Sequence, residues 1–456
     1  MDLLDIVKLI VNSSLPIKVF VLTKGVSAGQ LTALAQSPLQ GLSRIIASEH
    51  SDIWGALIDL EEPTIPLEVM KYVQGEGVIC NSDGIPRIAR LRPLPHNRLL
   101  PSCTVPRICR PEGTYLITGG LGTLGMETAE FLVEQGVRRV VLLSRRAVPP
   151  RKDWPAIIAE SAPMMSVLKG IQRLEAYGAT IKTIDIDITD ESSAEQLSMA
   201  LDAFNLPAVS GVIHAADLRR NVASSAFPPG TLDFMIFFSS CGQLFGFPGQ
   251  ASYASGNAFL DTLAAHRRNQ GDNAVSLQWS SWRGMGMATS NEFINAELAN
   301  KGITDITRDE AFQALLHVLK YDISQAAVLR SLPIEDDEPI PSSILTDIIK
   351  RKPPTSSPSD KPPSETKEGN EIPSSIEERR AYLDHKIRDS ISQVLHLAGP
   401  EDVDPKDVMS DLGLDSVLTV SLRSMLQKAL GVKVPPTLTW TCPTVVDLIC
   451  WFESNI

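Results

Sequence analysis

The chain has 456 residues, a net charge of −12 and six cysteines, and 43% of its residues are hydrophobic. This length and composition predict two or three domains with ordinary cores, and the acidic charge argues against a nucleic-acid partner. The cysteines form no CxxC pair and no histidine cluster accompanies them, so we expect neither a metal site nor a disulfide framework. Because no apolar run could span a membrane and the N-terminus lacks a signal-peptide cleavage site, we expect a cytoplasmic protein.

The first hundred or so residues have an α/β pattern without a catalytic or phosphate-binding motif. Residues 17–22 and 54–60 predict buried strands, and residues 30–50 have helical spacing. Residues 77–92 predict a short hairpin. This region therefore predicts a small α/β unit.

A glycine-rich loop follows the next predicted strand, residues 114–118. Gly120, Gly122 and Gly125 form a G-x-G-x-x-G motif that leads into a predicted helix, and Gly119 precedes it. Glycines in this position let the backbone approach a pyrophosphate, whose charge the helix N-terminus attracts. The motif predicts a dinucleotide site.

The predicted strand at residues 139–143 ends in Ser144, Arg145 and Arg146. In sites that prefer NAD, an acidic residue usually ends this strand and binds the ribose hydroxyls. An arginine can instead hold a 2′-phosphate through two N–H groups, so Arg145 favours NADPH. The alternative is a pair of solvated arginines.

Three polar residues lie in the strand, loop and helix predicted between Phe237 and Asp261. Ser240 ends a buried strand, and Tyr253 and Asn257 share one face of the following helix. Ligands of open α/β sheets bind beyond the strand ends, so the two hydroxyl groups could hold one carbonyl oxygen while Tyr253 supplies a proton. The alternative is an ordinary strand, loop and helix with incidental polar residues.

The last part of the chain differs in composition. Residues 352–373 are rich in Pro, Ser, Lys and Glu, which predicts an extended tether. Beyond it, residues 383–395 predict an amphipathic helix, and the run LGLDS at residues 412–416 precedes another. Asp415 and Ser416 alone would be common residues for a helix N-cap.

These motifs together resemble a known family. The run FSSCGQLFGFPGQASY, followed by GNAFLDTLAAHRR and QWSSWRGMGM, resembles the ketoreductases of polyketide synthases, which are short-chain dehydrogenases/reductases. It is similar to the methylsalicylic acid synthase type of iterative, partially reducing synthase, and LGLDS resembles an acyl carrier protein.

The resemblance implies an α/β Rossmann-like ketoreductase and an all-α four-helix carrier domain. It divides the chain into a truncated structural Rossmann-like subdomain at 1–110, a catalytic NADP-binding domain at 111–335, a Pro/Ser-rich linker at 336–374 and the carrier at 375–456. The family has a further strand and helix upstream, so we expect the chain to begin inside a domain.

The resemblance also implies roles for individual residues. Ser240, Tyr253 and Asn257 would be catalytic in the NADPH-dependent reduction of a β-ketoacyl chain, and Ser416 would carry 4′-phosphopantetheine. The partners would be a phosphopantetheinyl transferase, upstream ketosynthase, acyltransferase and dehydratase modules, and the carrier-bound acyl substrate, without metal, nucleic acid or membrane. The implied cofactor-binding residues are Gly119, Gly120, Gly122, Gly125, Ser144, Arg145, Asp187, Ile188, His214 and Ala215.

The chain departs from the family pattern after Ala216. Relatives continue with a glycine and a long helix that carries a catalytic lysine, whereas Asp217 stands here and Phe227-Pro228-Pro229-Gly230 cannot lie inside a helix. A parallel crossover normally needs a full helix, so we expect about two dozen residues to be absent, by deletion or by a gene-model error. No lysine lies between Asp217 and Ser240, where Arg219 and Arg220 are the only cations. We expect an impaired reductase and exposed apolar strand surface, and the alternative function is a ketoreductase remnant with only the carrier competent.

Overall fold

A computed structural model shows two compact units, Met1–Pro353 and Pro354–Ile456. The finer division of the chain into four regions stays a prediction. Ser416, Asp217, Arg219, Arg220 and the predicted tether lie outside the described residues. The structure describes residues 3–13, 16–61, 67–72, 75, 77–80, 85–102, 105–106, 108–159, 164–188, 190, 192–216, 226–285, 292–336, 338–351, 375–395, 399–409, 422–423, 425–427, 429–430, 432, 434, 438 and 442–455.

The N-terminal part of the first unit is a four-stranded sheet with helices. Its strands lie in the order β1-β2-β3-β4, with β1, β2 and β3 parallel and β4 antiparallel to β3, which confirms the predicted hairpin. The predicted helix at residues 30–50 begins later, at Pro38, because proline favours the first turn of a helix. The elements are α1 Leu3–Ser13, β1 Val19–Lys24, α2 Pro38–Glu49, β2 Trp54–Leu60, α3 Leu67–Tyr72, β3 Gly77–Cys80 and β4 Pro86–Ile88.

The larger sheet of the first unit has seven parallel strands in the order β12-β10-β9-β8-β5-β6-β7. Its strand order reverses at β5 and β8, and open α/β sheets bind ligands at such a reversal. The fold is therefore the expected Rossmann-like one. Its elements are β5 Thr114–Thr118, α4 Thr123–Glu134, β6 Arg139–Ser144, α5 Trp154–Ala159, α6 Met165–Ala176, β7 Thr180–Asp185, α7 Ser193–Ala203, β8 Val209–His214, β9 Phe234–Ser240, α8 Gly242–Phe245, α9 Ala251–Asn269, β10 Ala274–Trp279, α10 Glu292–Asn300, α11 Arg308–Val318 and β12 Gln325–Val328, with a small pair formed by β11 Ile303–Thr304 and β13 Arg330–Ser331.

The connection between β8 and β9 is short and is held at its C-terminal end. Arg267 and Asp272 form an ion pair of 2.5 Å whose side chains are 4% and 3% exposed. Arg267 also donates to the carbonyl oxygen of Phe227 at 2.8 Å, and Asp272 accepts from the backbone N–H of Gly230 at 2.6 Å. This buried pair therefore fixes the Phe227–Gly230 turn to the end of α9.

The apolar surface of β8 and β9 is covered in the described structure. Val212, Met235 and Phe237 are each at most 1% exposed. Leu34 and Phe227 pack against the cluster that contains them. The expectation of exposed strand surface is therefore wrong, because apolar side chains from neighbouring segments close over this face.

The second unit is helical, as expected for a carrier domain. Its elements are α12 Ile376–Leu395 and α13 Val445–Asn455. Leu383, Ile387 and Ile391 of α12 are fully buried and lie in one cluster with Phe452 of α13, which confirms the predicted amphipathic spacing. Thr444 caps α13, since its hydroxyl accepts from the N–H of Asp447 while that carboxylate accepts from the N–H of Thr444.

Two kinds of feature are absent from the described residues. None of the described helices is both long and apolar enough to cross a membrane. The same residues contain no group of three His, Cys, Asp or Glu side chains that could hold a metal ion.

Candidate functional site

A cavity of about 370 Å³ lies beyond the carboxyl ends of β8, β9 and β10. Ser240, Tyr253 and Asn257 all line it, so the structure brings the three predicted catalytic residues together. Ala215 lines it as well. We call this space the strand-end cavity. Its position matches the place where open α/β sheets bind their ligands.

Ser240 lies where β9 gives way to α8. Its Oγ accepts a hydrogen bond from the backbone N–H of Gly242 at 3.0 Å. A hydroxyl that accepts here keeps its own proton for donation to another group. Ser240 is therefore arranged as a donor toward the strand-end cavity.

Tyr253 and Asn257 lie one turn apart on α9, as predicted. Asn257 is 6% exposed, and its Nδ2 donates to the carbonyl oxygen of Tyr253 at 2.9 Å. Ser239 donates to the carbonyl oxygen of Asn257 at 3.4 Å. These bonds fix the turn of the helix that presents Tyr253 and tie it to the strand that presents Ser240.

Asp261 continues the same face of α9 by one more turn and was not predicted. Its carboxylate accepts from Gln243 at 2.7 Å, from Ser276 at 2.5 Å and from Gln278 at 2.8 Å. Burial raises the pKa of Asp261, while the hydrogen bonds from Ser276 and Gln278 and the charge of Arg44 oppose the rise. The spacing of Tyr253, Asn257 and Asp261 at i, i+4 and i+8 was the signal that could have found it.

Arg44 joins this network from α2. Its Nη1 donates to Oε1 of Gln243 at 2.6 Å and to the carbonyl oxygen of Gln243 at 3.0 Å. Burial lowers the pKa of Arg44, against the attraction of Asp261. Gln243 belongs to α8, which follows Ser240 directly, so the N-terminal sheet region helps to hold the segment between Ser240 and Tyr253.

The glycine-rich loop has the backbone shape that its motif predicts. Gly119 has a φ of +67°, and a Cβ on Gly125 would lie 2.3 Å from the carbonyl oxygen of Gly119. The N–H of Gly120 donates to the carbonyl oxygen of Leu143 at 2.9 Å, which fixes the loop to β6. Gly122 is the N-cap of α4. A backbone loop that has no room for side chains and lies at a helix N-terminus is suited to bind a pyrophosphate.

The end of β6 presents the residues predicted for the 2′-phosphate. Ser144 ends the strand, and its Oγ accepts from the backbone N–H of Arg146 at 3.1 Å. Arg145 is exposed. Its guanidinium is therefore accessible to a ligand at this strand end.

The sequence predicts a third strand at residues 181–188, which is too long at its C-terminal end. It ends at Asp185, and the N–H of Ile186 then donates to the carbonyl oxygen of Ser144 at 3.1 Å. Asp187 and Ile188 lie in the following loop and are partly exposed. They remain beside the end of β6, where the predicted cofactor site lies.

His214 lies beneath the glycine-rich loop. It is fully buried, and its Nδ1 shares a hydrogen bond of 2.6 Å with Oγ1 of Thr118. Burial lowers the pKa of His214 to about 3, so the imidazole is neutral at physiological pH. The N–H of Ala215 donates to the carbonyl oxygen of Thr118 at 3.2 Å. His214 thus supports the loop from below, while Ala215 reaches the strand-end cavity.

The described lining of the strand-end cavity contains no Lys, Arg or His. Cys241, next to Ser240, also lines it, and burial raises the pKa of that thiol to about 12. Cys241 is therefore a neutral thiol. No described side chain at the cavity supplies the positive charge that the family places near the tyrosine.

Comparison with known proteins identifies both parts of the chain. The KR domain family matches residues 113–224 and 220–284, and the phosphopantetheine attachment site family matches residues 385–452. The 6-methylsalicylic acid synthase of Aspergillus terreus is 58% identical over 100% of this chain and 27% of its own length. The chain is similar to the ketoreductase and carrier region of polyketide synthases of the 6-methylsalicylic acid synthase type. The corresponding enzyme of Penicillium patulum is 52% identical with the same coverage, so the chain spans about a quarter of the length of these relatives.

Solved ketoreductases of polyketide synthases share the fold of the first unit. The ketoreductase from the first module of phoslactomycin biosynthesis in a Streptomyces species has a TM-score of 0.56 and 28% identity, covering 69% of this chain and 76% of its own. The first ketoreductase of the tylosin synthase has a TM-score of 0.55 and 27% identity, covering 71% and 72%. The KR domain implies the use of NADPH, and the carrier domain implies 4′-phosphopantetheine.

The Aspergillus terreus polyketide synthase has residues that this chain lacks. The alignment with the Aspergillus terreus enzyme has 483 positions and covers all of this 456-residue chain, so at least 27 of its positions, the difference of the two numbers, have no residue here. The two KR matches meet at residues 220–224, within the connection from β8 to β9.

Proposed function

We propose that this chain is the reductase and carrier segment of a polyketide synthase that makes an aromatic product of the methylsalicylic acid type. Ser416 carries the growing chain on a phosphopantetheine arm, and the strand-end cavity receives its β-carbonyl group. The observation that supports this most strongly is the meeting of Ser240 and Tyr253 at one cavity, beside a glycine cradle that fits a dinucleotide.

The residues of the cavity fit the reduction of a ketone. NADPH, when bound, supplies a hydride to the carbonyl carbon. The hydroxyl of Ser240 donates a hydrogen bond to the carbonyl oxygen, since its Oγ already accepts from Gly242. Tyr253 transfers its proton to that oxygen as negative charge develops there. Asn257 holds the turn of α9 that orients Tyr253.

The end of β6 would hold the 2′-phosphate of NADPH. Arg145 supplies an exposed guanidinium and Ser144 a hydroxyl at the strand end. A guanidinium binds a phosphate with two parallel N–H donors, which explains a preference for NADPH. The pyrophosphate would lie against Gly119, Gly120, Gly122 and Gly125, and Asp187 and Ile188 would flank the adenine.

The carrier part works by tethered delivery. The composition of residues 352–373 predicts a tether between it and the reductase, and such a tether would keep the arm at a high effective concentration. The partners are a phosphopantetheinyl transferase that loads Ser416, and ketosynthase, acyltransferase and dehydratase modules that build and process the acyl chain. The protein works in the cytoplasm.

A second candidate function is that of a carrier with an impaired reductase. The alignment with the Aspergillus terreus relative has at least 27 positions that this chain lacks, and the two KR matches meet between β8 and β9. The described lining of the cavity contains no cation. We propose that the lysine-bearing segment is the part that is absent, so that Tyr253 lacks its proton relay and turnover is slow.

One experiment on the intact chain separates the two functions. The carrier is loaded with an acetoacetyl phosphopantetheine arm and incubated with NADPH, and the arm is weighed by mass spectrometry. A competent reductase adds the mass of two hydrogen atoms, and Tyr253→Phe prevents the gain. A carrier with an impaired reductase takes up the arm but keeps the unreduced mass. Failure to take up the arm would contradict both.

A further inference from the structure

Two tryptophans of the strand-end cavity have unpaired indole N–H groups. Trp279 ends β10 and Trp282 follows in the next loop, and both line the cavity. They are 4% and 3% exposed, and within the described part of the chain neither Nε1 has a hydrogen-bond partner. Buried donors normally find a partner, so two without one at the same cavity require an explanation.

The indoles are held in place by aromatic neighbours. Trp279 and Trp282 pack edge to face with ring centroids 5.3 Å apart, and Phe238 packs on Trp279 at the same distance. Trp282 also packs edge to face on Phe312, at 5.3 Å. Rings held this firmly lose little freedom when a ligand binds, which makes their N–H groups preorganised donors.

We propose that the indole N–H groups of Trp279 and Trp282 bind a carbonyl oxygen of the ligand that fills the strand-end cavity. Indole N–H is a donor only, so its partner must be an acceptor. A carbonyl oxygen with two lone pairs can accept from both indoles. This proposal rests on the proposed function, which supplies two such oxygens: the carboxamide of the nicotinamide, and a carbonyl of the acyl chain.

The aromatic packing offers a competing explanation. An indole N–H can also point at the face of a neighbouring ring, a weak interaction that would leave no role for a ligand. In that case the environment of each N–H would not change when a ligand enters the cavity. The two explanations therefore differ in what happens to the N–H groups on binding.

Nuclear magnetic resonance of the indole N–H groups tests the proposal without any turnover. The full chain is labelled with ¹⁵N in its tryptophans, and Trp279→Phe and Trp282→Phe assign the two resonances. The labelled chain is titrated with NADPH, with adenosine 2′,5′-bisphosphate, which lacks the nicotinamide, and with the N-acetylcysteamine thioester of acetoacetate. We expect both indole protons to move downfield with NADPH or with the thioester, and the ligand that moves them identifies the source of the oxygen. Adenosine 2′,5′-bisphosphate should leave both in place.

Affinities of the same variants give an independent measurement. Each Trp→Phe change keeps an aromatic ring but removes one hydrogen-bond donor. It should lower the affinity for the identified ligand about 2- to 12-fold, as expected for the loss of one neutral hydrogen bond. Binding of adenosine 2′,5′-bisphosphate should be unchanged, which shows that the variant is folded. Trp154→Phe is the matched control, because Trp154 already donates to the carbonyl oxygen of Pro149 at 2.9 Å.

The outcomes separate this proposal from the proposed function. If NADPH and the thioester bind while both indole resonances stay in place, or if the variants bind as tightly as the wild type, the indoles are not ligand donors. If neither NADPH nor the thioester binds to the wild-type chain, the proposed function itself fails and this proposal fails with it.

Discussion

Gly41 of α2 lies against Ala254 of α9, so closely that a Cβ on Gly41 would stand 2.2 Å from the carbonyl oxygen of Ala254. Ala254 follows Tyr253 directly. The crossing of these two helices therefore fixes the position of the turn that presents Tyr253. Farther along the same helix, Asn269 donates to the carbonyl oxygen of Ala28 at 2.7 Å, so the N-terminal region holds α9 at more than one point.

Gly41→Ala should push α2 and α9 apart. The obstacle is backbone, which cannot move aside as a flexible side chain can, so we expect a loss of about 1–3 kcal/mol in the free energy of unfolding, typical of an overpacked core. Urea unfolding of the intact chain measures it. Gly77→Ala is the matched control, since a Cβ at that glycine has no atom within 4 Å. Equal stability of Gly41→Ala and the wild type would show that the helices can separate at no cost.

His214 gives the reductase a specific dependence on pH. The pKa of His214 in the folded chain, about 3, lies below the ordinary value of 6.5. As the pH falls below about 6.5, His214 of the unfolded chain therefore binds a proton, whereas His214 of the folded chain does not. Stability is therefore lost as the pH falls from about 6.5 toward 3. Between pH 7 and pH 5 the wild type should lose about 1–2 kcal/mol more than His214→Gln, which has no group that titrates there. Denaturant unfolding at the two pH values measures this difference.

The exposed His96 supplies the control for that comparison. His96→Gln should lose as much stability as the wild type between pH 7 and pH 5. If His214→Gln also behaves as the wild type does, the imidazole is protonated in the folded state and the burial argument is wrong.

Arg145→Ala should erode the preference for NADPH over NADH. The difference in binding free energy between NADPH and NADH should fall by roughly 1.5–3 kcal/mol, the range for one hydrogen bond to a charged group. Titration of nicotinamide fluorescence with each cofactor measures it. Arg146→Ala should change the preference little, because Arg146 is bound at this strand end through its backbone N–H. Equal or tighter binding of NADH by the wild type would count against the arginine site.

Ser416 should accept one phosphopantetheine group. Incubation with a phosphopantetheinyl transferase and coenzyme A should add the mass of one arm to the wild type and none to Ser416→Ala. The reason is the LGLDS run before a predicted helix, whose N-terminus favours the attached phosphate. Ser421→Ala, five residues farther on, should load normally. Loading of Ser416→Ala would show that another residue carries the arm.

Local patterns allowed the larger part of the fold to be predicted. The strands of the main sheet, the glycine-rich loop and the positions of Ser240 and Tyr253 follow from side-chain periodicity and spacing within about 25 residues. These features depend on neighbours in sequence, and the structure has them close to where they were expected. The ends of elements were less certain, as the early end of β7 at Asp185 shows.

Contacts between distant parts of the chain could not be predicted. Arg44 and Gln243 are separated by 199 positions, and nothing in either local sequence indicates that they meet. The Arg267–Asp272 pair and its bonds to Phe227 and Gly230 were missed for the same reason, since they span about 40 positions. The closing of apolar side chains over Met235 and Phe237 likewise depends on packing among several segments.

Reduction of a decalone by NADPH tests most directly whether the strand-end cavity holds a carbonyl-reducing pair that lacks its lysine. The chain as it stands should oxidise NADPH little or not at all with this ketone. A variant can be made by inserting after Ala216 the missing segment of the Aspergillus terreus relative, which is at least 27 residues long. This variant should oxidise NADPH faster, on the order of 100-fold or more. Tyr253→Phe should remove that gain. A rapid, Tyr253-dependent rate from the chain without the insert would contradict the proposal and would show that another group has replaced the lysine.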